Sequence, residues 1–561
     1  MNYCPQRPSS RSLGALNLTI TPHFTADEAD QLSVHFTLHD PQCAAHHPLF
    51  LFETSYGNVP AHPYTERDIT ASDAAGQLSL SFTDPTDPTN TDQEWRVDRD
   101  TVGDVQLRFR VTPRAVDLTT PIGPRVDLRR DQGGLIGNGR WFLPRPAHER
   151  VYRHVVAWDL SHAPPRTRAV WSFGEGPDPV VRAGPPTVLI DSVYMVGPIE
   201  SYPRNNHAVA AAAAPRAQVF WFGQLPENLQ RLNPYTILLY PKLAAFFRNP
   251  DAVSYHIFIR RVLRGFGGHG CQGSYVLEYD ASSTEETEED LVALFSHEMV
   301  HSFVKMGPEA DGYGNGWFIE GLAQFYSAYL PYRFGLRGAE YLRNRINAYL
   351  SAYGTSPRIG MDARDSQAEF YDDWYAELIP YMRGFAYLLQ VDSRLRKMTG
   401  RFGLDADSPL DEVVIGMARR WRSGERLRAS DWLDYLRPFL GAGVARELQD
   451  MLRGRVLDLG GTIVIHEDWA LSPSEQEVLE FGFSLASVNR RVICGVVPGS
   501  RAANAGLEDG LPLVSTTRAG RCSTSLSAMM DVVVERGGDR VQISYWPRSF
   551  EKARVWRLEW S

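Results

Sequence analysis

The sequence predicts a multidomain α+β protein: an N-terminal antiparallel β-sandwich, then an α+β lobe feeding a helix bundle, then a small C-terminal β-domain. Three observations carry this expectation. Short segments alternate apolar and polar residues up to about residue 185, helix-period patterns dominate from Glu285 to about Arg453, and strand-like runs return after Ser472. A chain of 561 residues is also too long for one hydrophobic core.

In the first region, Leu16 to Ile20, Leu32 to Phe36, Leu78 to Phe82 and Val105 to Val111 have period two with Pro, Gly and Asp between them, which reads as antiparallel strands of a sandwich over residues 1–185. Pro144 to Pro146 and Pro164-Pro165 read as loops, and Gly184-Pro185-Pro186 marks a boundary. Residues 186–455 form the expected second domain, with candidate strands at Thr187 to Val193, Ser254 to Ile259 and Ser274 to Tyr279 ahead of the helical stretch. Residues 456–561 form the third. There the chain returns to strands through the segments Glu480 to Leu485, Cys494 to Leu507 and Val541 to Trp546.

The helical stretch holds His297-Glu298-Met299-Val300-His301, and eighteen residues separate His301 from Glu320. Histidines four apart project from one helix face and can share one Zn²⁺, with Glu320 as a third ligand and the fourth position left for water. Glu298 then lies beside the metal as general base. Ser283-Thr284-Glu285-Glu286 reads as a capping box, and the acidic run to Asp290 suits a helix N-terminus. Leu291, Leu294 and Phe295 supply an apolar stripe, the Gly-rich link Gly307 to Gly316 turns the chain back, and Trp317 to Leu330 carries Glu320 inward on a second helix.

Composition excludes several classes. Net charge is −9, with 43% hydrophobic and 22% charged residues, so no basic groove invites nucleic acid or an anionic membrane. Met1 to Arg7 lacks a signal-peptide core and the apolar run Ala208 to Ala214 is too short to span a bilayer, so a cytoplasmic protein is expected. The five cysteines, Cys4, Cys43, Cys271, Cys494 and Cys522, are odd in number and widely spaced, which points to free thiols.

Two resemblances extend this reading. The tail from about Ser472 resembles a PDZ domain, with Phe481-Gly482-Phe483 as its carboxylate-binding turn and a groove for a C-terminal peptide. The motif His297-Glu298-x-x-His301, its spacing to Glu320, and Pro380-Tyr381-x-Arg383-Gly384 together look like the gluzincin metallopeptidases. The order of β-domain, thermolysin-like lobe, helix bundle and PDZ tail is similar to the glycyl aminopeptidase family within that clan. The resemblance implies one zinc held by His297, His301 and Glu320, with Glu298 as base and Tyr381 stabilising the oxyanion. The substrate is then a peptide or protein.

One departure bears on polarity of cleavage. In the loop Gly267-Gly268-His269-Gly270-Cys271-Gln272-Gly273-Ser274, Gly270 stands where related aminopeptidases present a glutamate to the substrate's amine. Gly267, Gly268, His269 and Gly270 remain candidate substrate-binding residues through their backbone, but a neutral loop offers an ammonium no ion pair. Aminopeptidase and endopeptidase action both stay open. The alternative to a peptidase is a catalytically weak, zinc-binding PDZ scaffold, and a third possibility is a zinc epoxide or ester hydrolase.

Overall fold

The computed structural model describes residues 14–86, 90–204, 216–250, 252, 254–307, 314–402, 408–460 and 469–560. Met1 to Arg7 with Cys4, the run Ala208 to Ala214 and positions 308–313 of the expected glycine-rich link lie outside them. The architecture is mixed α+β, and the packing divides into two units. The first takes in the described parts of 1–115, 123–230 and 253–284, and the second those of 116–122, 231–252 and 285–561.

The first unit is built of sheets. Gly14–Thr25, Glu28–Leu38 and Val105–Val111 pair antiparallel at the centre of a seven-stranded sheet, and Tyr152–Trp158 runs parallel to Gly14–Thr25. Period-two alternation buries Leu16, Leu18 and Ile20 on one strand and Leu32, Val34 and Phe36 on the next. Their shared core also takes Phe50, Trp95, Trp171 and Val196 from other sheets. Two sequence expectations change here. Leu78 to Phe82 is two strands in different sheets, because Ser79 exchanges backbone and side-chain hydrogen bonds with Asp98 and the chain turns there. Thr187–Ile190 is a helical turn rather than a strand: the Pro185 and Pro186 carbonyls accept the next amides, and the strand begins only at Val193. A further five-stranded sheet sets Arg216–Phe222, Ser254–Arg261 and Ser274–Tyr279 parallel, with Gly267–Cys271 antiparallel at its edge.

Helices dominate the second unit, among them Asn233–Phe246, Glu288–Val300, Gly316–Arg333, Ala339–Gly354, Trp374–Thr399 and Pro409–Arg422. The tail then forms a long antiparallel ribbon, Trp469–Leu479 with Arg548–Trp560, and a three-stranded sheet of Leu513–Thr516, Met530–Arg536 and Asp539–Tyr545. Its small core joins Leu479, Phe481, Phe483, Ile493 and Val532, against which Trp374 and Tyr375 pack. The strand expected over Glu480 to Leu485 does not form. Gly482 adopts φ +74°, which ends any extended run, and a short helix Ala486–Arg490 follows. Among the described residues no helix is long and apolar enough to cross a membrane, and Cys43, Cys271, Cys494 and Cys522 form no disulfide.

A buried ionic network ties the sheets of the first unit together. Arg260 donates to Asp127 at 2.8 Å and to Glu278 at 2.6 and 2.9 Å, while Arg114 and Arg129 also bond Asp127. Burial alone would raise the Asp127 carboxyl, but the charges of Arg260 and Arg129 hold it below the usual carboxylate range. Arg260→Met strips the buried Asp127 and Glu278 carboxylates of their hydrogen bonds to this guanidinium, so it is expected to cost about 3–5 kcal/mol in denaturant unfolding. Because the folded carboxyl titrates below its unfolded value of about 3.9, its contribution is present above that pH and lost as pH falls through the folded value. The acid-side loss of stability is therefore expected to be shallower in Arg260→Met than in the parent, as read by unfolding titrations from roughly pH 5 downward.

Candidate functional site

The motif helix Glu288–Val300 starts four residues later than the capping-box reading placed it. Ser283 is already engaged, its hydroxyl accepting from the Asp280 amide at 3.0 Å, so it does not cap the helix. Thr287 does: its Oγ1 accepts from the Asp290 amide at 3.2 Å and donates to the Asp290 carboxylate at 2.7 Å. Glu288, Glu289 and Asp290 then fill the first turn, where the helix dipole favours acid. Leu291, Val292, Phe295 and Met299 are buried, which fixes the rotation that sends His297 inward. His301 is the C-cap residue, still in helical geometry.

Glu320 comes from the following helix, Gly316–Arg333, as expected from Trp317 to Leu330. The three ligand atoms form a small triangle. His297 Nε2 lies 3.1 Å from Glu320 Oε2, His301 Nε2 lies 3.3 Å from it, and the two imidazole nitrogens are 3.0 Å apart. Ligands at tetrahedral zinc distances of about 2.0–2.1 Å stand about 3.3 Å from one another, so the donor set fits one such ion. Among the described residues this is the one His, Cys, Asp and Glu grouping that can hold a metal. Burial works against charge on Glu320, yet the imidazoles of His301 and His297 hold its carboxyl well below the ordinary range. Burial likewise opposes the His301 cation, but the Glu320 carboxylate raises its pKa on balance.

A residue that motif reading missed completes the shell. Gln324 Oε1 accepts from His297 Nδ1 at 2.8 Å, which leaves Nε2 with its lone pair toward the other two ligands. The signal was present as a four-residue step from Glu320 along one helix face, but glutamine at such a step is common. Glu298 is buried beside His297 and contributes to the field at His301. Tyr381, on Trp374–Thr399, stacks its ring on that of His297 with centroids 5.8 Å apart and planes 18° off parallel.

The helices carrying Glu320 and Tyr381 touch backbone to backbone. A Cβ on Gly384 would lie 2.3 Å from the Trp317 carbonyl and 2.7 Å from Gly321 Cα, and one on Gly321 would lie 2.6 Å from Gly384. A second approach sets Gly316 against Pro380. Gly321 follows Glu320 directly and Gly384 lies three residues past Tyr381, so this crossing sets how close those two side chains come.

The other candidate residues lie elsewhere. Gly267, Gly268, His269 and Gly270 belong to the edge strand Gly267–Cys271, which pairs on one side with Ser274–Tyr279 and on the other with no strand among the described residues. The His269 ring meets Tyr56 edge-on at 5.7 Å. The Arg140 guanidinium lies 4.5 Å over the Tyr56 ring and pairs with both Glu53 and Asp191. Cys271 is buried and its sulfur accepts from Asn138 at 3.4 Å. In the tail, the Phe481 amide donates to the Tyr375 hydroxyl at 3.1 Å, its carbonyl accepts from Tyr545, and the Gly482 carbonyl accepts from Val497 at 2.8 Å. Phe481 and Phe483 are buried, so the turn expected to take a carboxylate has its first amide engaged by the tyrosine helix.

No protein-family model matches the sequence, and no curated protein does. Solved structures do. An aminopeptidase N family protein from Idiomarina loihiensis superposes over 97% of this chain and 98% of that one, with TM-score 0.61 and 14% identity. The fold is of the aminopeptidase N kind. An M1 zinc metallopeptidase from Deinococcus radiodurans, in a mutant bound to a Tyr-Ser-Ala substrate, covers 80% of this chain and 95% of its own at 18% identity and TM-score 0.49. Yeast LTA4 hydrolase in complex with bestatin covers 81% and 69% at 11% identity and TM-score 0.48. At these identities the likeness is one of fold, and the first alone is close enough to establish it.

The glycine crossing yields a direct expectation. Gly384→Ala forces the two helices apart and is expected to cost about 1–3 kcal/mol, the range of an overpacked core. Gln324→Ala leaves the fold intact and is expected to lower metal affinity by roughly 10- to 100-fold, as loss of an outer-shell partner does. Thermal unfolding with zinc titration of the purified variants separates the two outcomes.

Proposed function

We propose that this chain is a zinc-dependent peptidase, with His297, His301 and Glu320 as metal ligands, Glu298 as general base and Tyr381 as oxyanion donor. The observation that carries the proposal is the 3.0–3.3 Å triangle of ligand atoms, with Glu298 buried on the same helix turn and Tyr381 stacked on His297. A zinc ion held there supplies a Lewis acid that acidifies water and polarises the scissile carbonyl. Glu298 takes the proton of the attacking water and hands it to the leaving amine. The Tyr381 hydroxyl donates a hydrogen bond to the oxygen that becomes negative as the carbonyl is attacked.

Aminopeptidase and endopeptidase action both stay open within this reading. The neutral Gly267–Gly270 loop offers a substrate ammonium no ion pair, which predicts that N-acetylated peptides are cleaved about as well as free ones.

The finer architecture belongs to the same proposal. The first sheets are read as a sandwich domain, residues 186–455 as the catalytic domain, and residues from 456 as the PDZ-like tail of the glycyl aminopeptidase family. The free cysteines suit a cytoplasmic setting. With Phe481 engaged by Tyr375, the tail is read as a brace for the tyrosine helix, and a peptide docked at Phe481-Gly482-Phe483 has to displace that contact.

Metal analysis and peptide turnover test the assignment. The purified protein is expected to carry about one zinc per chain. Glu298→Gln keeps zinc and fold and loses most hydrolysis, and Tyr381→Phe keeps zinc and slows turnover by roughly 10²-fold or more. Unchanged rates in both variants reject the mechanism. Similar kcat/KM is expected for matched free and N-acetylated peptides, and a strong preference for the free ones rejects the neutral-loop reading while leaving the metal assignment standing.

A further inference from the structure

The ionic network of the first unit holds more cations than it uses. Asp127 and Glu278 face four guanidinium groups, those of Arg114, Arg125, Arg129 and Arg260. Three of them bond a carboxylate oxygen at 2.6 to 2.9 Å. Arg125 does not. Its Nε stands 3.5 Å from Glu278 Oε2 with no hydrogen-bond partner, and its remaining polar contact is a 3.4 Å hydrogen bond to the Phe266 carbonyl. The Arg125 side chain is 19% exposed, whereas Arg260 is sealed in.

This loosely held guanidinium lies against the start of the edge strand. Gly267 opens that strand with φ +148°, a conformation that favours glycine, and a Cβ there would sit 2.5 Å from an Arg125 terminal nitrogen. Glycine therefore lets the cation lie flush with the first residue of the edge, directly across the sheet from Glu278. A peptide that adds to Gly267–Cys271 as a further strand advances about 3.3 Å per residue. Its end, or a side chain near it, falls within reach of a planar fork suited to bidentate carboxylate recognition.

We infer that Arg125 is a specificity determinant that binds a carboxylate of the peptide laid along Gly267–Cys271. The inference rests on the peptidase reading for its ligand class and adds the substrate type, short peptides ending nearby or peptides with an acidic residue at that point. The surplus of two positive charges in the network is retained because a ligand supplies the missing anion.

The test measures binding to full-length protein carrying Glu298→Gln, with Arg125 intact, as Arg125→Gln and as Arg125→Lys. The probes are a neutral tetrapeptide with a free C-terminus, the same peptide amidated, and an amidated version bearing one Glu. With Arg125 intact, the neutral amide is expected to bind at least about tenfold more weakly than the free acid or the Glu-bearing amide. If the free acid alone binds tightly, the carboxylate is the C-terminus, and if the Glu-bearing amide binds as well, it is a side chain. Arg125→Gln is expected to erase the difference while leaving the neutral amide unaffected, and Arg125→Lys to restore part of it. No discrimination with Arg125 intact, or discrimination that survives in Arg125→Gln, overturns the inference. The two readings fail separately: hydrolysis by the parent enzyme without carboxylate discrimination removes this inference alone, and discrimination in binding without any hydrolysis removes the peptidase reading alone. Should Arg125→Gln not fold, the amidation comparison with Arg125 intact and the Arg125→Lys variant decide.

Discussion

The candidate site depends on one close contact, the crossing at which Gly321 and Gly384 bring two helix backbones together. Helix axes ordinarily stand 8–10 Å apart, with side chains filling the gap. Where both partners are glycine the gap closes, and residues beside the crossing are held to backbone precision. Glu320 precedes one glycine and Tyr381 sits one turn before the other. The position of the glutamate relative to the histidine helix, and of the tyrosine ring against His297, follows from that contact. Buried Trp317, Phe318 and Tyr387 pack around it and keep the helices from sliding.

Electrostatics around the ligand triangle is consistent with a site built for a cation. Two imidazoles and a carboxylate brought within hydrogen-bond distance, in a place where water is largely excluded, are costly to desolvate unless something compensates. Part of the compensation is internal, since Glu320 is held ionised by its histidine neighbours and Gln324 fixes the tautomer of His297. The remainder is what the proposed dication would supply. In the first unit both signs occur: the Asp127 and Glu278 network is rich in guanidinium, and the Arg140 cluster is rich in carboxylate.

The tail illustrates how a resemblance in sequence is reused. Phe481-Gly482-Phe483 has the residue types of a carboxylate-binding turn, and its glycine does adopt the left-handed conformation such a turn needs. Its first amide is nevertheless spent on Tyr375, and the Phe481 ring stacks on that tyrosine at 5.3 Å. Tyr375 lies in the first turn of the helix that carries Tyr381. Ion pairs from Arg518 and Arg521 to Glu286 and Glu285 tie the same tail to the segment just ahead of the motif helix. The tail therefore grips both ends of the chemistry-bearing scaffold.

Local patterns determined the strands at Leu16 to Ile20, Leu32 to Phe36 and Val105 to Val111, the two helices of the His297 motif, and the meeting of His297, His301 and Glu320, because each rests on short-range periodicity or spacing that the backbone enforces. What the sequence left open depended on contacts between distant residues. The split at Ser79 needs Asp98, the late start of the motif helix needs Asp280 to occupy Ser283, and the loss of the strand after Glu480 accompanies the engagement of Phe481 by Tyr375. Gln324 and Arg125 carry no motif of their own. Folding sets one beside a histidine and the other beside a glycine edge, and sequence spacing holds no record of that proximity.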